Sequence, residues 1–283
     1  MDRNHIIKFL SCFIPLKVWR HYFRDKYILK SSIIKDCGKN NKFILLDDNG
    51  NKMEIKYLEN LSIEFLGDNN YIQMYSSTKL QNRLYIKLND SNNIKIGKSP
   101  YQLGMYIHSP CNSIKLNIGD NVSMWGTNIQ MVDEPGLELE IGNDVMMGYG
   151  VLIRPSDGHT IYDSQNKILN YPEKISIGNH CWLGMNTTVL KGADMPDNSV
   201  LAAGSIYTKS SNPKDKALTG CIFAGAPAKV IKTGINWNRL NTYQYEKSCK
   251  KMAKTVDMTE KSHVGGGAPL IELYQAFPAR KVA

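Results

Sequence analysis

A strict six-residue period between residues 174 and 210 constrains the fold of this chain more than any other feature of its sequence. An α-helix repeats its apolar face every three to four residues and a half-buried strand every two, so neither explains this period. A fixed hexapeptide period is typical of a parallel β-helix, in which each hexad forms one face of a coil. Large side chains then fill the interior and small ones occupy the corners: Ile177, Leu183, Val189, Met195, Leu201 and Tyr207 alternate with Cys181, Thr187, Ala193, Ser199 and Ser205.

A weaker form of the repeat precedes the regular region. Similar phrases at residues 93–97, 115–119 and 139–143 carry glycines at positions 97, 119 and 142, at spacings of 22 and 23 residues. These spacings fit coils of about eighteen residues plus a short loop. We therefore predict an all-β solenoid over residues 59–234.

The flanking segments predict smaller elements. Residues 1–58 are expected to form an amphipathic helical segment and a β-hairpin, whose turn signal is Asp48-Asn49-Gly50. Residues 235–283 are expected to form a C-terminal helix, from Trp237 to Lys254, and a flexible tail.

The period fails between residues 154 and 172, which read RPSDGHTIYDSQNKILNYP. Gly142 and Gly178 are 36 residues apart, which is room for two coils, so an excursion replaces one of them. A rigid solenoid fixes the base of such a loop and leaves its tip free of packing demands, which is why function concentrates there.

The chain is basic, with a formal net charge of +9 and a pI near 9.1. Its lysines are scattered among Asn, Asp and Glu, and no zipper, zinc finger or RNP sequence occurs, so we expect no nucleic-acid partner. The excess positive charge instead favours an anionic cofactor, an acidic polymer or the acidic inner face of a membrane.

Cysteine usage and hydropathy indicate a cytoplasmic protein. The six cysteines are far apart and form no CxxC pair, as expected of a reduced protein. Neither a secretory signal nor an apolar run of about 20 residues occurs.

Residues 4–30 combine aliphatic and aromatic side chains with basic ones, and Pro15 is expected to divide them into two short helices. Two interpretations stay open. The apolar side packs on the chain or on a neighbouring subunit, or the segment lies as a peripheral contact on an anionic membrane surface.

Several phrases together resemble the hexapeptide-repeat acetyltransferases. They are the hexad array, the loop SDGHTIYD, the phrase IGNHCWLG, the run VLKGADMPDNSVLAAGSI and the closing GAPAKVI. The similarity spans about residues 95 to 232 and is strongest to the branch that O-acetylates bacterial capsules, O-antigens and polysialic acid. It implies a left-handed parallel β-helix, a homotrimer with sites between adjacent subunits, acetyl-CoA as co-substrate, no metal and a carbohydrate acceptor.

Within this resemblance, His159 is the candidate catalytic base. Imidazole can accept a proton from a sugar hydroxyl at neutral pH while that hydroxyl attacks the thioester. Asp157 and Asp163 are candidates to orient the ring, although aspartates in loops also cap turns. The resulting transfer would be direct, without a covalent acyl-enzyme.

The remaining candidates concern substrate binding. The resemblance places Trp182 beside the pocket, with a trimer contact as the alternative. Lys209 and Lys229 suit the phosphates of coenzyme A. The small residues Gly184 and Ala202 would let the pantetheine arm of the coenzyme lie close to the backbone, although small residues also suit a tight coil. The predicted acetyl-CoA-binding residues are Trp182, Gly184, Ala202, Lys209 and Lys229.

Acceptor contacts are predicted at Arg154 and Tyr171, with Asn170 beside them. Here the chain reads Lys167-Ile168-Leu169-Asn170 where many relatives carry an Arg-Ile-Asn-like phrase, so the sugar stays open.

The same fold also carries other functions. The zinc-dependent γ-type carbonic anhydrases need three converging histidines, including an H-x-x-x-x-H pair, and His108, His159 and His180 supply no such pair. A non-catalytic trimeric glycan-binding scaffold stays open. So does transfer to a small-molecule acceptor such as a free sugar or an antibiotic.

Overall fold

The computed structural model describes residues 33–53, 60–80, 84–108 and 111–250. The chain divides into two compact units, Met1–Ile235 and Asn236–Ala283. The predictions for residues 4–30 and for the tail beyond residue 250 lie outside the described residues. None of the helices in the described part of the chain has the length and apolar character that crossing a bilayer requires.

The described part of the first unit is built almost entirely from short strands. A 3-10 turn, Lys209–Ser211, follows the twentieth of them. The described strands are β1 Ile33–Asp36, β2 Lys42–Leu46, β3 Lys52–Met53, β4 Leu61–Phe65, β5 Tyr71–Tyr75, β6 Lys79–Leu80, β7 Leu84–Leu88, β8 Asn93–Ile96, β9 Gln102–His108, β10 Lys115–Ile118, β11 Ser123–Gln130, β12 Glu138–Ile141, β13 Met146–Tyr149, β14 Leu152–Arg154, β15 Ile175–Ile177, β16 Trp182–Leu183, β17 Thr188–Leu190, β18 Asp194–Met195, β19 Val200–Leu201, β20 Ile206–Tyr207, β21 Ile222–Gly225 and β22 Ala228–Lys232.

Apart from β3 and β22, which pair antiparallel with β2 and β21, these strands stack in parallel on three faces, and each pairs with its counterpart in the next coil. The first face contains β2, β5, β8, β10, β12, β15 and β18. The second face contains β6, the first halves of β9 and β11, and then β13, β16, β19 and β21. The third face contains the second halves of β9 and β11, followed by β14, β17 and β20. β1, β4 and β7 pair with one another ahead of this third stack. The predicted parallel β-helix is thus confirmed.

The hexad residues fill the interior as predicted. Ile141, Ile177 and Met195 stand in register on successive strands of the first face. Large and small hexad positions are both buried, including Tyr207 and Cys181 at 0% exposure. The ring of Tyr207 packs edge-on against Phe223 with centroids 5.0 Å apart. Its hydroxyl donates to the Asp194 carbonyl at 3.2 Å, which satisfies the one polar group that this aromatic brings into the core.

The corners are built from residues with left-handed backbone conformations. Between the first and second faces these residues include Asn121, Asp144, His180 and Asn198. Their φ angles lie between 50° and 58°. Asn and Asp tolerate this conformation better than other non-glycine residues, which explains their recurrence at one point of each coil.

The solenoid begins earlier than the expected start at residue 59. β1 pairs in parallel with β4, and β2 with β5, so the coils already include Ile33. The predicted hairpin is present, with β2 and β3 antiparallel around a turn in which Asp47 accepts from the amides of Asn49 and Asn51. This hairpin stretches the first coil, so that Lys35 meets Glu64 at a sequence separation of 29. The lengthened coil hides the period in the sequence.

In the second unit, residues 242–250 are helical. Asn241 caps this helix, because its side chain accepts from the Gln244 amide at 2.9 Å while Gln244 Oε1 accepts from the Asn241 amide at 3.3 Å. The cap explains why the helix starts after the predicted residue Trp237.

Burial predicts which thiols react. Among the described cysteines, Cys37 is exposed and Cys181 is fully buried, and burial raises the pKa of Cys181 to about 12. At pH 8 its thiolate fraction is roughly 10⁻⁴, and the thiolate is the reactive form. In the folded protein, iodoacetamide should therefore modify Cys37 and leave Cys181 unmodified, as measured by peptide mass spectrometry. Equal labelling of both thiols would contradict this burial.

Candidate active site

The segment that breaks the hexad period is a loop inserted into a single coil. β14 ends at Arg154 and β15 begins at Ile175, yet β12 pairs directly with β15. The loop is closed at its base by a bond from the Glu173 amide to the Pro155 carbonyl at 3.2 Å. Towards its tip, Tyr162 and Ile168 form an antiparallel bridge. The loop is therefore a short hairpin on a closed base, attached to a continuous stack.

His159 lies on the outgoing limb of this loop, and its side chain is exposed. Its main chain is held, because the carbonyl accepts a hydrogen bond from Asn170 Nδ2 at 2.8 Å. No side chain in the described ranges forms a hydrogen bond with the imidazole. The loop thus fixes the backbone of His159 and leaves its ring available to a ligand.

Gly158, just before it, requires the absence of a side chain. Its φ is 81°, and a Cβ would lie 2.4 Å from Arg154 Nη2 and 2.8 Å from Asp133 Oδ2. Any L-residue here would be strained and would also disturb the ion pair between those two side chains.

Asp157 is engaged by residues other than His159. Lys191 Nζ lies 2.6 Å from its Oδ2, and Asn170 Nδ2 donates to the same oxygen at 3.0 Å. Partial burial opposes ionisation, but these two hydrogen bonds and the charges of Lys191 and Arg154 outweigh it and lower the pKa of Asp157.

Asp163 closes the hairpin turn. Its Oδ1 accepts from the amides of Gln165 at 2.9 Å and Lys167 at 3.0 Å. Both candidate orienting carboxylates therefore have partners within the loop. Their predicted action on the imidazole stays a prediction.

Arg154 holds the outgoing limb against the neighbouring coil. Its Nε donates to the Ser156 carbonyl at 2.9 Å and its Nη2 to Asp133 Oδ2 at 3.1 Å. Ser156 is buried and donates to Glu134 Oε1 at 2.8 Å. Arg154 thus has a clear structural task beside its predicted contact with the acceptor.

Lys191 is the loop-supporting residue that sequence reasoning missed. It directly follows β17, whose Leu190 pairs with Arg154. Besides the contact with Asp157, its Nζ donates to the carbonyls of Asn170 at 2.8 Å and Tyr171 at 3.2 Å. In the sequence, Lys191 is marked only by its place in the VLKG phrase, and that phrase does not predict these partners.

The returning limb exposes apolar surface. Tyr171 is 62% exposed. Exposed apolar side chains also occur on the hairpin and on the coil surface: Ile161, Tyr162 and Leu169 in the first group, and Trp125, Tyr149, Trp182 and Met185 in the second.

The predicted acetyl-CoA residues lie on different parts of the coil stack. Trp182, in β16 of the second face, is 39% exposed although it is large and aromatic. Gly184 is buried, and a Cβ there would lie 2.6 Å from the Ala203 amide nitrogen. Ala202 opens the corner after β19, where its amide donates to the Phe223 carbonyl at 2.9 Å. The coil itself therefore needs a glycine at position 184.

The two lysines differ in their partners. Lys209 Nζ lies 2.6 Å from Glu173 Oε2, at the returning end of the loop. Lys229 is exposed in β22, and among the described residues no side chain pairs with it. Lys229 is thus the better placed of the two to meet a phosphate.

The described residues contain no group of three or more His, Cys, Asp or Glu side chains arranged to hold a metal ion. The titratable groups around the main chain of His159 instead include Arg154 with its partner Asp133, and Asp157 with its partner Lys191.

Comparison with known proteins finds sugar acetyltransferases. The chain is 32% identical over 126 residues to the polysialic acid O-acetyltransferase of Escherichia coli O1:K1, covering 44% of this chain and 38% of that relative. It is 31% identical over 147 residues to the polysialic acid O-acetyltransferase of Neisseria meningitidis, covering 44% and 68%. The galactoside O-acetyltransferase of Escherichia coli K12 is 32% identical over 108 residues, covering 37% and 48%. The first and third of these alignments thus span less than two thirds of the relative.

A solved structure shares the fold. The crystal structure of a polysialic-acid-specific acetyltransferase superposes with a TM-score of 0.60 at 24% identity, covering 80% of this chain and 99% of the other. The left-handed β-helix predicted from the sequence is confirmed. No family model matches the chain.

Proposed function

Since this chain belongs to the hexapeptide-repeat acetyltransferases, we propose that it transfers the acetyl group of acetyl-CoA to a hydroxyl of a bacterial surface polysaccharide. One observation carries the proposal: a hydrogen-bonded loop holds the main chain of His159 and leaves its imidazole without a protein partner among the described residues. The names of the relatives make sialic-acid-containing capsules or O-antigens the first acceptors to test.

The proposed reaction is a direct transfer. His159 takes the proton of the acceptor hydroxyl while the hydroxyl oxygen attacks the thioester carbonyl. The C–O bond forms, the C–S bond breaks, and the proton held by the imidazole passes to the departing thiolate. Backbone amides beside the groove stabilise the tetrahedral oxyanion. No metal and no acyl-enzyme take part.

Acetyl-CoA would bind along the coils that follow the loop. Lys229 is exposed and has no described ionic partner, so it can meet the coenzyme phosphates without losing an existing ion pair. Lys209 would have to leave Glu173, which makes it the weaker contact. Trp182 offers an exposed aromatic face beside the path of the pantetheine arm.

The active species is proposed to be a homotrimer. Exposed apolar side chains on both the loop and the coil surface, among them Tyr162, Leu169, Trp125 and Tyr149, give two surfaces that neighbouring copies could bury against each other. In this arrangement each site lies between two subunits.

Trp182 provides a test of the pocket. Trp182→Ala should raise the KM for one substrate about tenfold, because a stacked aromatic contributes about 1 kcal/mol or more beyond its buried area. Trp182→Phe, which keeps an aromatic face, should stay within about threefold of the wild type. Steady-state kinetics with each substrate varied in turn measures both variants. Unchanged KM values in the alanine variant would exclude Trp182 from the pocket.

The decisive experiment incubates the purified protein with acetyl-CoA and a panel of acceptors, following release of free thiol and acetylation by mass spectrometry. The panel contains capsular and O-antigen glycans, sialylated ones included, together with free sugars, galactosides and a macrolide. Acetylation of a polysaccharide supports the proposal. Acetylation of a small molecule alone supports the alternative acceptor class, and glycan binding without thiol release supports a non-catalytic scaffold.

A further inference from the structure

Lys191 stands apart from the other ion-paired lysines of the described coils. Its side chain is only 19% exposed, whereas those of Lys174 and Lys209 are 41% and 68% exposed and each meets one carboxylate. Lys191 meets three acceptors: Asp157 Oδ2, the Asn170 carbonyl and the Tyr171 carbonyl. An ammonium group has three donors, so all of them are used within the protein. A lysine in this state does not serve as a point charge for a ligand.

The three acceptors belong to the two limbs of the loop. Asp157 lies on the outgoing limb, two residues before His159, while Asn170 and Tyr171 lie on the returning limb. Lys191 itself belongs to the next coil, beyond the rung in which Leu190 pairs with Arg154. One side chain of the rigid stack therefore fixes both limbs at once.

Asn170 passes this restraint on to His159. Its Nδ2 donates to Asp157 Oδ2 at 3.0 Å and to the His159 carbonyl at 2.8 Å, and its Oδ1 accepts from the Ile161 amide at 2.7 Å. The chain of contacts thus runs from Lys191 through Asp157 and Asn170 to the main-chain carbonyl of His159 and the amide of Ile161.

We propose that Lys191 is a positioning residue, which holds the loop in the conformation that presents the His159 imidazole to the acceptor hydroxyl. This inference rests on the proposed function, because it concerns the reaction at His159. A displacement of about 1 Å in a reacting group can cost about a hundredfold in rate. The loss of Lys191 should therefore act on turnover, while acetyl-CoA, bound along the following coils, keeps its affinity.

The test compares Lys191→Met with Lys174→Met, a control that removes an exposed lysine from a single ion pair with Glu140. Lys191→Met should lower kcat about tenfold and leave the KM for acetyl-CoA within about twofold. The control should retain wild-type kcat. Thermal unfolding of each variant establishes that the coils are intact, and Lys191→Gln replaces the methionine variant if the latter does not fold.

Hydrogen exchange supplies a readout that is independent of activity. In Lys191→Met the peptides covering residues 155–172 should exchange faster, since the Ile161 and Leu169 amides lose their ordered acceptors, while peptides from β15 to β20 stay protected. Unchanged exchange in the loop would overturn the inference, and so would faster exchange with unchanged kcat. If the wild type transfers acetyl to no acceptor, the proposed function fails, and the exchange comparison alone still decides whether Lys191 orders the loop.

Discussion

Replacement of His159 by glutamine should lower the rate of acetyl transfer by about 10²- to 10⁴-fold, the usual contribution of a general base. Glutamine keeps a polar side chain of similar length but cannot take up the hydroxyl proton. The loop should keep its conformation, because its contact with His159 goes through the main-chain carbonyl. Kinetics at saturating acetyl-CoA, together with calorimetric titration of coenzyme A, separates the loss of chemistry from a loss of binding.

The matched control is His180→Gln. His180 lies at a corner of the stack with its Nδ1 2.7 Å from Asp144 Oδ2, and the proposed mechanism gives it no part. This variant should keep turnover within about threefold of the wild type. Near-wild-type turnover in His159→Gln would sink the assignment of the base, and a comparable loss in both variants would point to a general effect on the fold.

Gly184→Ala should destabilise the β-helix by about 3 kcal/mol, at the upper end of the usual cost of overpacking. The new methyl group would lie 2.6 Å from the Ala203 nitrogen and 2.9 Å from its Cα, and these are backbone atoms held by the stack. Neither coil can move without breaking the bond from the Gly184 amide to the Leu201 carbonyl. Urea unfolding at a fixed protein concentration measures the change.

Gly204→Ala is the control for this substitution. Its φ is 71° and nothing lies within 4 Å of the position of a Cβ, so only the conformational cost of about 1 kcal/mol remains. If both variants lost the same stability, close stacking at position 184 would be refuted as the reason for the glycine. A Gly184→Ala variant of full stability and reduced coenzyme affinity would instead favour the role of a small residue in admitting the pantetheine arm.

The regular coils could be predicted from sequence because nothing interrupts their period. Ile177 and Met195, eighteen residues apart in the chain, stand in register on adjacent strands, as the hexads require. The first coils could not be predicted in the same way, because a hairpin between β2 and β3 lengthens one of them and removes the period.

The loop could be located from the sequence, but its internal contacts could not. Its position follows from the failure of the period, and His159 was singled out by resemblance to a family. The task of Lys191 depends on the stacking of Leu190 beside Arg154, which places a side chain on one coil against main-chain carbonyls of a loop in another. Such contacts depend on which residues of adjacent coils stand side by side, and neither residue type nor sequence spacing predicts them.

The direct register between β12 and β15 also bears on how this enzyme class can diversify. Ile141 and Ile177 remain paired although the loop lies between them in the sequence. The pairing of adjacent coils therefore does not depend on the length of the loop. Insertions, deletions or wholesale exchange of this segment would leave the core packing of the coils as it is. Under the proposed function, a change of acceptor would thus require changes in this segment alone, while the stack of coils stays constant.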